Sequence, residues 1–258
     1  MPHLLLTNDD GIQAPGLLAL ARALGGLGRL TVLAPDRNWS ASGHVKTMHR
    51  PLRVRETRLA DDTPAWTTDG APSDCVALAL LGFVPAPVDL VVSGINPHAN
   101  IGHDVTYSGT VTAAMEAAIA GVAGMAVSLD SPDNHVGELD YQAAAQVAAS
   151  IADQVLSRGL PAGVALSVNV PYLALEALRG VAVTRQGLRL YRDALVQRED
   201  PRGRPYYWIG GDTPTGVEEP GTDFWALRQG RVSVTPLQLD LTAHAHLKTL
   251  EGWGLRVP

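Results

Sequence analysis

Two carboxylates, Asp9 and Asp10, stand side by side after the apolar run of residues 4–6 and immediately before Gly11. A single Asp there reads as a turn residue that caps the following helix. Two adjacent ones repel, and a divalent cation is an efficient way to offset that repulsion. Capping and metal binding both remain open at Asp9 and Asp10, with the pairing favouring the metal. Further polar clusters recur at the ends of later apolar runs. Ser40 and Ser42 follow "RLTVLAP", and Asn96 closes "VDLVVSGIN". Each has an ordinary loop or turn reading of its own. Together, Asp9, Asp10, Ser40 and Asn96 form an all-oxygen donor set, which suits Mg²⁺, Mn²⁺ or Ca²⁺ over softer metals.

A second feature is "YSGTVTAAMEAA", in which Ser108, Gly109 and Thr110 precede an alanine-rich helical stretch. A Ser cap explains it locally, and the free N–H groups of a helix N-terminus also favour a bound phosphate. Asn8 is a candidate phosphate donor or support for the carboxylates. His44, His98 and His103 lie in the same loops but read as loop residues, and none is assigned as a ligand. The chain contains no G-x-x-x-x-G-K-[ST], no G-x-S-x-G and no H-E-x-x-H. The glycines of "GGLGRL" follow the first helix, whereas a dinucleotide fingerprint must follow the first strand, which argues against NAD binding.

The elements that must position these residues alternate. Residues 3–7 read as a strand, the stretch from Gly16 as a helix ending in glycines, and 29–35 as a second strand. The alternation continues through a helix from Ser73, the strand "VDLVVSGIN", the helix "GTVTAAMEAAIAG", the strand "GMAVSLD", a helix at about 139–157 and the strand "GVALSVNVP". This predicts an α/β, doubly wound, Rossmann-like and mostly parallel sheet, interrupted over 40–70 by the short β-like pieces "PLRVRET" and "AWTTDG". After about residue 178 the texture becomes β-prone through "GVAVTRQG", "RPYYWIGG" and the stretch to "VTPLQLDLT", with "REDPRGRP" as a hairpin tip. The reading is one domain over 1–258: a core to about 178, and a β-hairpin extension with a short helical or irregular tail from about 179.

Bulk composition narrows the function. The chain has 258 residues, 46% apolar and 18% charged, a balance that can bury a substantial core. Its net charge is −6 with no Lys/Arg cluster, which argues against binding a nucleic-acid polymer. A lone Cys75 forms no intrachain disulfide and excludes a zinc site of several thiolates. No uninterrupted apolar segment reads as a membrane span, and no basic leader is seen, so a cytoplasmic protein is expected.

In this order, "LLLTNDDGIQAPG", "VLAPDRNWSASGH", "DGAPSDCVALAL", "VVSGINPHANIGHDVTYSGTVTAAMEA" and "VTRQG" resemble the SurE (survival protein E) family of nucleotidases along nearly the whole chain. The resemblance implies a divalent-metal-dependent phosphatase, with one cation per subunit, acting on nucleoside 5′- and 3′-monophosphates and in some members on short polyphosphate. By motif it implies Asp9, Asp10, Ser40 and Asn96 as metal ligands. It further implies a homodimer or homotetramer that uses the C-terminal β extension between subunits. Trp39, where many relatives carry a polar or charged residue, and His98, where glycine is common, depart from the pattern and bear on substrate choice. In the expected mechanism Asp9 or Asp10 activates a water for in-line attack while Ser108, Gly109 and Thr110 steady the phosphate; an aspartyl-phosphate intermediate is the alternative. A non-catalytic, metal-dependent nucleotide sensor is the rival function.

Overall fold

The computed structural model describes residues 1–257, apart from the side chains of residues 191–193 and 211–214. Strand and helix alternate from the start: β1 (His3–Thr7), α1 (Pro15–Leu24) and β2 (Arg29–Pro35), then β3 (Val54–Arg58) and β4 (Pro64–Thr68). α2 (Pro72–Leu78), β5 (Leu90–Asn96), α3 (Gly109–Ile119), β6 (Ala123–Asp130), α4 (Gln142–Arg158) and β7 (Val164–Pro171) complete the alternating part. The remainder holds β8 (Val181–Val183), β9 (Arg189–Glu199), β10 (Pro205–Gly216), α5 (Asp223–Arg228), β11 (Val232–Gln238) and α6 (Leu247–Glu251).

One sheet runs in the order β3-β4-β2-β1-β5-β6-β7-β11-β8. From β4 to β7 all neighbours are parallel. The expected α/β, mostly parallel architecture is therefore present. Successive side chains of a strand point to opposite faces, and β1 follows that rule with apolar residues on both. Leu4 and Leu6 join Leu17, Leu20 and Leu24 of α1 and Ile151 of α4 on one face. Leu5 joins Leu33, Cys75 and Val76, with Ala113 and Ala117 of α3, on the other. Burying each such leucine contributes about 1.5–3 kcal/mol, so the strand that ends in the two carboxylates is held from both sides.

The C-terminal part differs in two ways from a simple β extension. β11 lies antiparallel to β7, and β8 parallel to β11, so both continue the main sheet. Among the described residues only β9 and β10 stand apart, as an antiparallel two-stranded ribbon. Its tip falls in "REDPRGRP", where Asp200 Oδ1 accepts from Arg202 N at 2.8 Å and Arg204 N at 2.9 Å. The stretch 221–242, expected within β-prone chain, contains α5. Thr222 starts that helix by accepting from Trp225 N at 3.2 Å, and the preference of Phe224 and Trp225 for strands is overridden.

Candidate active site

In a doubly wound sheet, ligands bind beyond the carboxyl ends of the strands where the winding direction reverses. Here the chain passes from β1 to β2 on one side and later returns to β5 on the other side of β1. The reversal point is thus the C-terminal end of β1 and β5. Asp9 and Asp10 follow β1, Asn96 ends β5, and Ser40 lies in the loop after β2. All four line one cleft of about 290 Å³, together with Ser108.

Asp9 is 3% exposed and sits against the N-terminus of α3. Its Oδ1 accepts a hydrogen bond from the Thr110 hydroxyl. Burial raises the Asp9 pKa, while the Thr110 hydroxyl and the nearby backbone N–H groups pull against that rise. Gly109 is required for this approach, since a Cβ there would lie 2.8 Å from Asp9 Cβ and 3.1 Å from Asp9 Oδ2. Asp10 is more open, yet burial and the charge of Asp9 push its pKa up to about 7.

Ser40 is carried by a stretch without strand or helix, residues 36–53. Trp39 N donates to Asp9 O at 2.7 Å, which ties this loop to the end of β1 directly beside the serine. Asn38 Oδ1 accepts from Ser40 N at 2.6 Å. Asn96 is aimed by an irregularity: the β5–β6 register shifts between Ser93 and Asn96. Gly94 permits it with φ +139° and with its α-carbon so close to β6 that a Cβ would meet Val127 O at 2.3 Å. The Asn96 amide N–H donates to His98 O, leaving its oxygen as the atom it can offer a ligand.

Three of the candidate phosphate contacts, Asn8, Gly109 and Thr110, do not line this cleft. Asn8 is fully buried and does not line the cleft. Its Nδ2 donates to Gly11 O at 2.9 Å and its Oδ1 accepts from Gly11 N at 3.2 Å, so the whole amide serves the turn that presents Asp9 and Asp10. Gly109 and Thr110 stand behind Asp9 and off the cleft surface, where Thr110 positions the carboxylate. Ser108 does reach the cleft, with its Oγ accepting from Val111 N at 3.1 Å as a helix cap. Tyr107, Asp104 and Arg189 also line it, and sequence reasoning singled out none of them. Tyr107 carries a faint signal as the neighbour of Ser108; Arg189 carries none, because it arrives from another part of the chain.

The donor set fits a hard divalent cation. Two carboxylates, one hydroxyl and one amide oxygen share the cleft, and the arginine that also lines it pairs with Asp104. Among the described residues no three His, Cys, Asp or Glu side chains cluster as a metal site, so the softer, His- or Cys-rich sites have no counterpart here.

Residues 4–193 match the family model for survival protein SurE. The chain is 50% identical over 251 residues to "5′-nucleotidase SurE" of Chloroflexus aggregans, covering 97% of this chain and 98% of that one. It is 52% identical over 240 residues to the protein of the same name in Herpetosiphon aurantiacus, covering 93% of each. Among solved structures, that of the SurE protein from Aquifex aeolicus superposes with a TM-score of 0.82 at 41% identity, covering 98% of this chain and 100% of that one.

Proposed function

The chain belongs to the survival protein SurE family, and from that premise we propose that it is a divalent-metal-dependent nucleotidase. It hydrolyses nucleoside 5′- and 3′-monophosphates to nucleoside and phosphate, and short polyphosphate as well. The observation that supports this reading best is the meeting of Asp9, Asp10, Ser40 and Asn96 in one cleft at the reversal point of the sheet. These four residues hold one Mg²⁺, Mn²⁺ or Ca²⁺, which when bound supplies the positive charge that a phosphate monoester needs at this acidic site.

The chain's own groups do the rest. Thr110 fixes one oxygen of Asp9 and so sets the direction of the carboxylate. Asp10, the more open of the pair, takes the proton of the attacking water, because Asp9 is committed to Thr110. Ser108 faces the phosphate from the N-terminus of α3, whose N–H groups favour an anion. A direct attack by water needs no phosphoenzyme, and labelled substrate should leave no covalently bound phosphate.

The β9–β10 ribbon supports assembly with further copies. Leu195 is 69%, Trp208 64% and Ile209 83% exposed, and a lone two-stranded ribbon is marginal in water. We assign the ribbon to contacts between copies in a homodimer or homotetramer. Work in the cytoplasm agrees with a single buried thiol, and among the described residues no helix is long and apolar enough to cross a membrane.

The test is phosphate release from a panel of 5′- and 3′-nucleoside monophosphates after chelation, and again after Mn²⁺ or Mg²⁺ is restored. Activity should vanish on chelation and return with metal, and Asp9→Asn should recover little of it at any metal concentration. Nucleotide binding without phosphate release under any metal would replace the enzyme with a nucleotide sensor.

A further inference from the structure

Arg189 opens β9 and lines the cleft, although it lies far along the chain from every other lining residue. Two links hold that part of the chain to the active-site loop. Asp223, 2% exposed, accepts from Gly187 N and from Gly102 N, both at 2.8 Å. Gln186 Nε2 donates to Gly102 O at 2.8 Å. The backbone on both sides of the junction is therefore fixed before Arg189 reaches the cleft. Its side chain is 19% exposed, and its Nε lies 3.1 Å from Asp104 Oδ2. That ion pair is off the hydrogen-bond line, and among the described residues Nε has no hydrogen-bond partner.

The charge pattern gives this placement a meaning. Asp9, Asp10 and Asp104 line the cleft, and a phosphate monoester entering it is itself an anion. A cation bound at Asp9 and Asp10 offsets that end only. The Thr110 hydroxyl gives its hydrogen to Asp9, and Ser108 Oγ, which accepts from Val111 N, has one neutral O–H left to offer, so neither brings positive charge to the phosphate. A guanidinium is always charged and presents a planar fork that matches phosphate oxygens. Among the described residues, Arg189 is the one Lys or Arg side chain that lines the cleft.

We propose that Arg189, delivered from the C-terminal ribbon, is a substrate-binding residue whose guanidinium receives the phosphate oxygens of the substrate. Asp104 keeps the charge in place in the free protein. This rests on the phosphatase reading, and it extends the site beyond the α/β core to the segment that also carries the exposed ribbon. A purely structural Arg189 would instead only tie the extension to Asp104.

The experiment compares wild type, Arg189→Gln, Arg189→Lys and Asp104→Asn, all loaded with Mn²⁺. Three readouts are taken: inorganic phosphate binding by calorimetry, steady-state kinetics on a nucleoside monophosphate, and Mn²⁺ affinity. Arg189→Gln should weaken phosphate binding and raise KM by about 10–100-fold, as expected for loss of a charged hydrogen bond. Mn²⁺ affinity should not change, and added guanidinium ion should restore part of the activity. Arg189→Lys should fall between the two, and Asp104→Asn should bind phosphate at least as well as wild type. Should Arg189→Gln fail to fold, the Lys variant decides: phosphate binding equal to wild type overturns the proposal. So does unchanged phosphate binding in a folded Arg189→Gln, or equal losses in Arg189→Gln and Asp104→Asn. A wild type that binds phosphate through Arg189 but hydrolyses no nucleotide overturns the phosphatase reading and leaves this assignment standing.

Discussion

Asp9 and Ser108 reach the cleft from the ends of regular elements, β1 and α3, whereas Ser40 reaches it from residues 36–53, which contain neither strand nor helix. The first wall is held by apolar burial on both faces of the sheet. The second is held by polar clamps. Glu116, 6% exposed on α3, pairs with His44 Nε2 and Lys46 Nζ, each at 2.9 Å. Asp74 of α2 accepts from Thr47 N at 2.8 Å and Thr47 Oγ1 at 2.7 Å, and Tyr107 O accepts from Gly43 N at 2.9 Å. Apolar burial is insensitive to salt and to a single charge, while a clamp of this kind depends on both. The carboxylates are thus set by the fold, and the hydroxyl that completes the donor set is set by a few charged contacts.

The largest effect should come from the rigid wall. Asp9→Asn keeps the shape but removes the buried charge, and nucleotidase activity should fall by about 10²–10³-fold or more, measured as phosphate release at saturating metal. Thermal stability should hold or rise, because burial raises the pKa of Asp9 and so opposes its charge in the metal-free protein. Thr110→Val is the next step down. It leaves Asp9 Oδ1 without its hydroxyl donor, and metal affinity should drop by about 10–100-fold, the usual effect of removing a support behind a ligand. Calorimetric titration with Mn²⁺ would check it; an affinity equal to wild type would show that the backbone of α3 alone orients Asp9.

Much of the rigid wall was legible in the sequence, and little of the clamped one was. Adjacent Asp residues after a buried strand, and an Asn closing another, announce themselves through the βα alternation, because chain order places strand ends at one edge of the sheet. For Asn8 the sequence left two readings open, phosphate donor or support for the carboxylates, and only the packing that buries its amide against Gly11 favours the second. Glu116, Asp74 and Arg189 act through partners far along the chain, and no local spacing encodes such pairs. The same holds for β11 and β8, whose places in the main sheet follow from the pairing of β11 with β7 and of β8 with β11, and not from their own composition.

The clamped wall gives the smaller effects, and they sharpen the contrast. Glu116→Gln leaves His44 and Lys46 without their shared carboxylate, and metal affinity should weaken by about tenfold, in line with the loss of a buried charge-assisted contact. Substrate KM at saturating metal should change less, since Glu116 acts on the Ser40 loop and does not line the cleft. Lys46→Met should do least. The lysine side chain is half exposed, so its pair with Glu116 is worth no more than about 1 kcal/mol, and metal affinity should shift by about twofold to fivefold. That shift should shrink as salt is raised from about 0.05 M to 0.5 M, because screening weakens the pair in the wild type too. The loss from Thr110→Val should stay constant over the same range, its contact being a buried hydroxyl-to-carboxylate bond. If both losses faded together with salt, the two walls would be held by the same electrostatics and the distinction between them would fail.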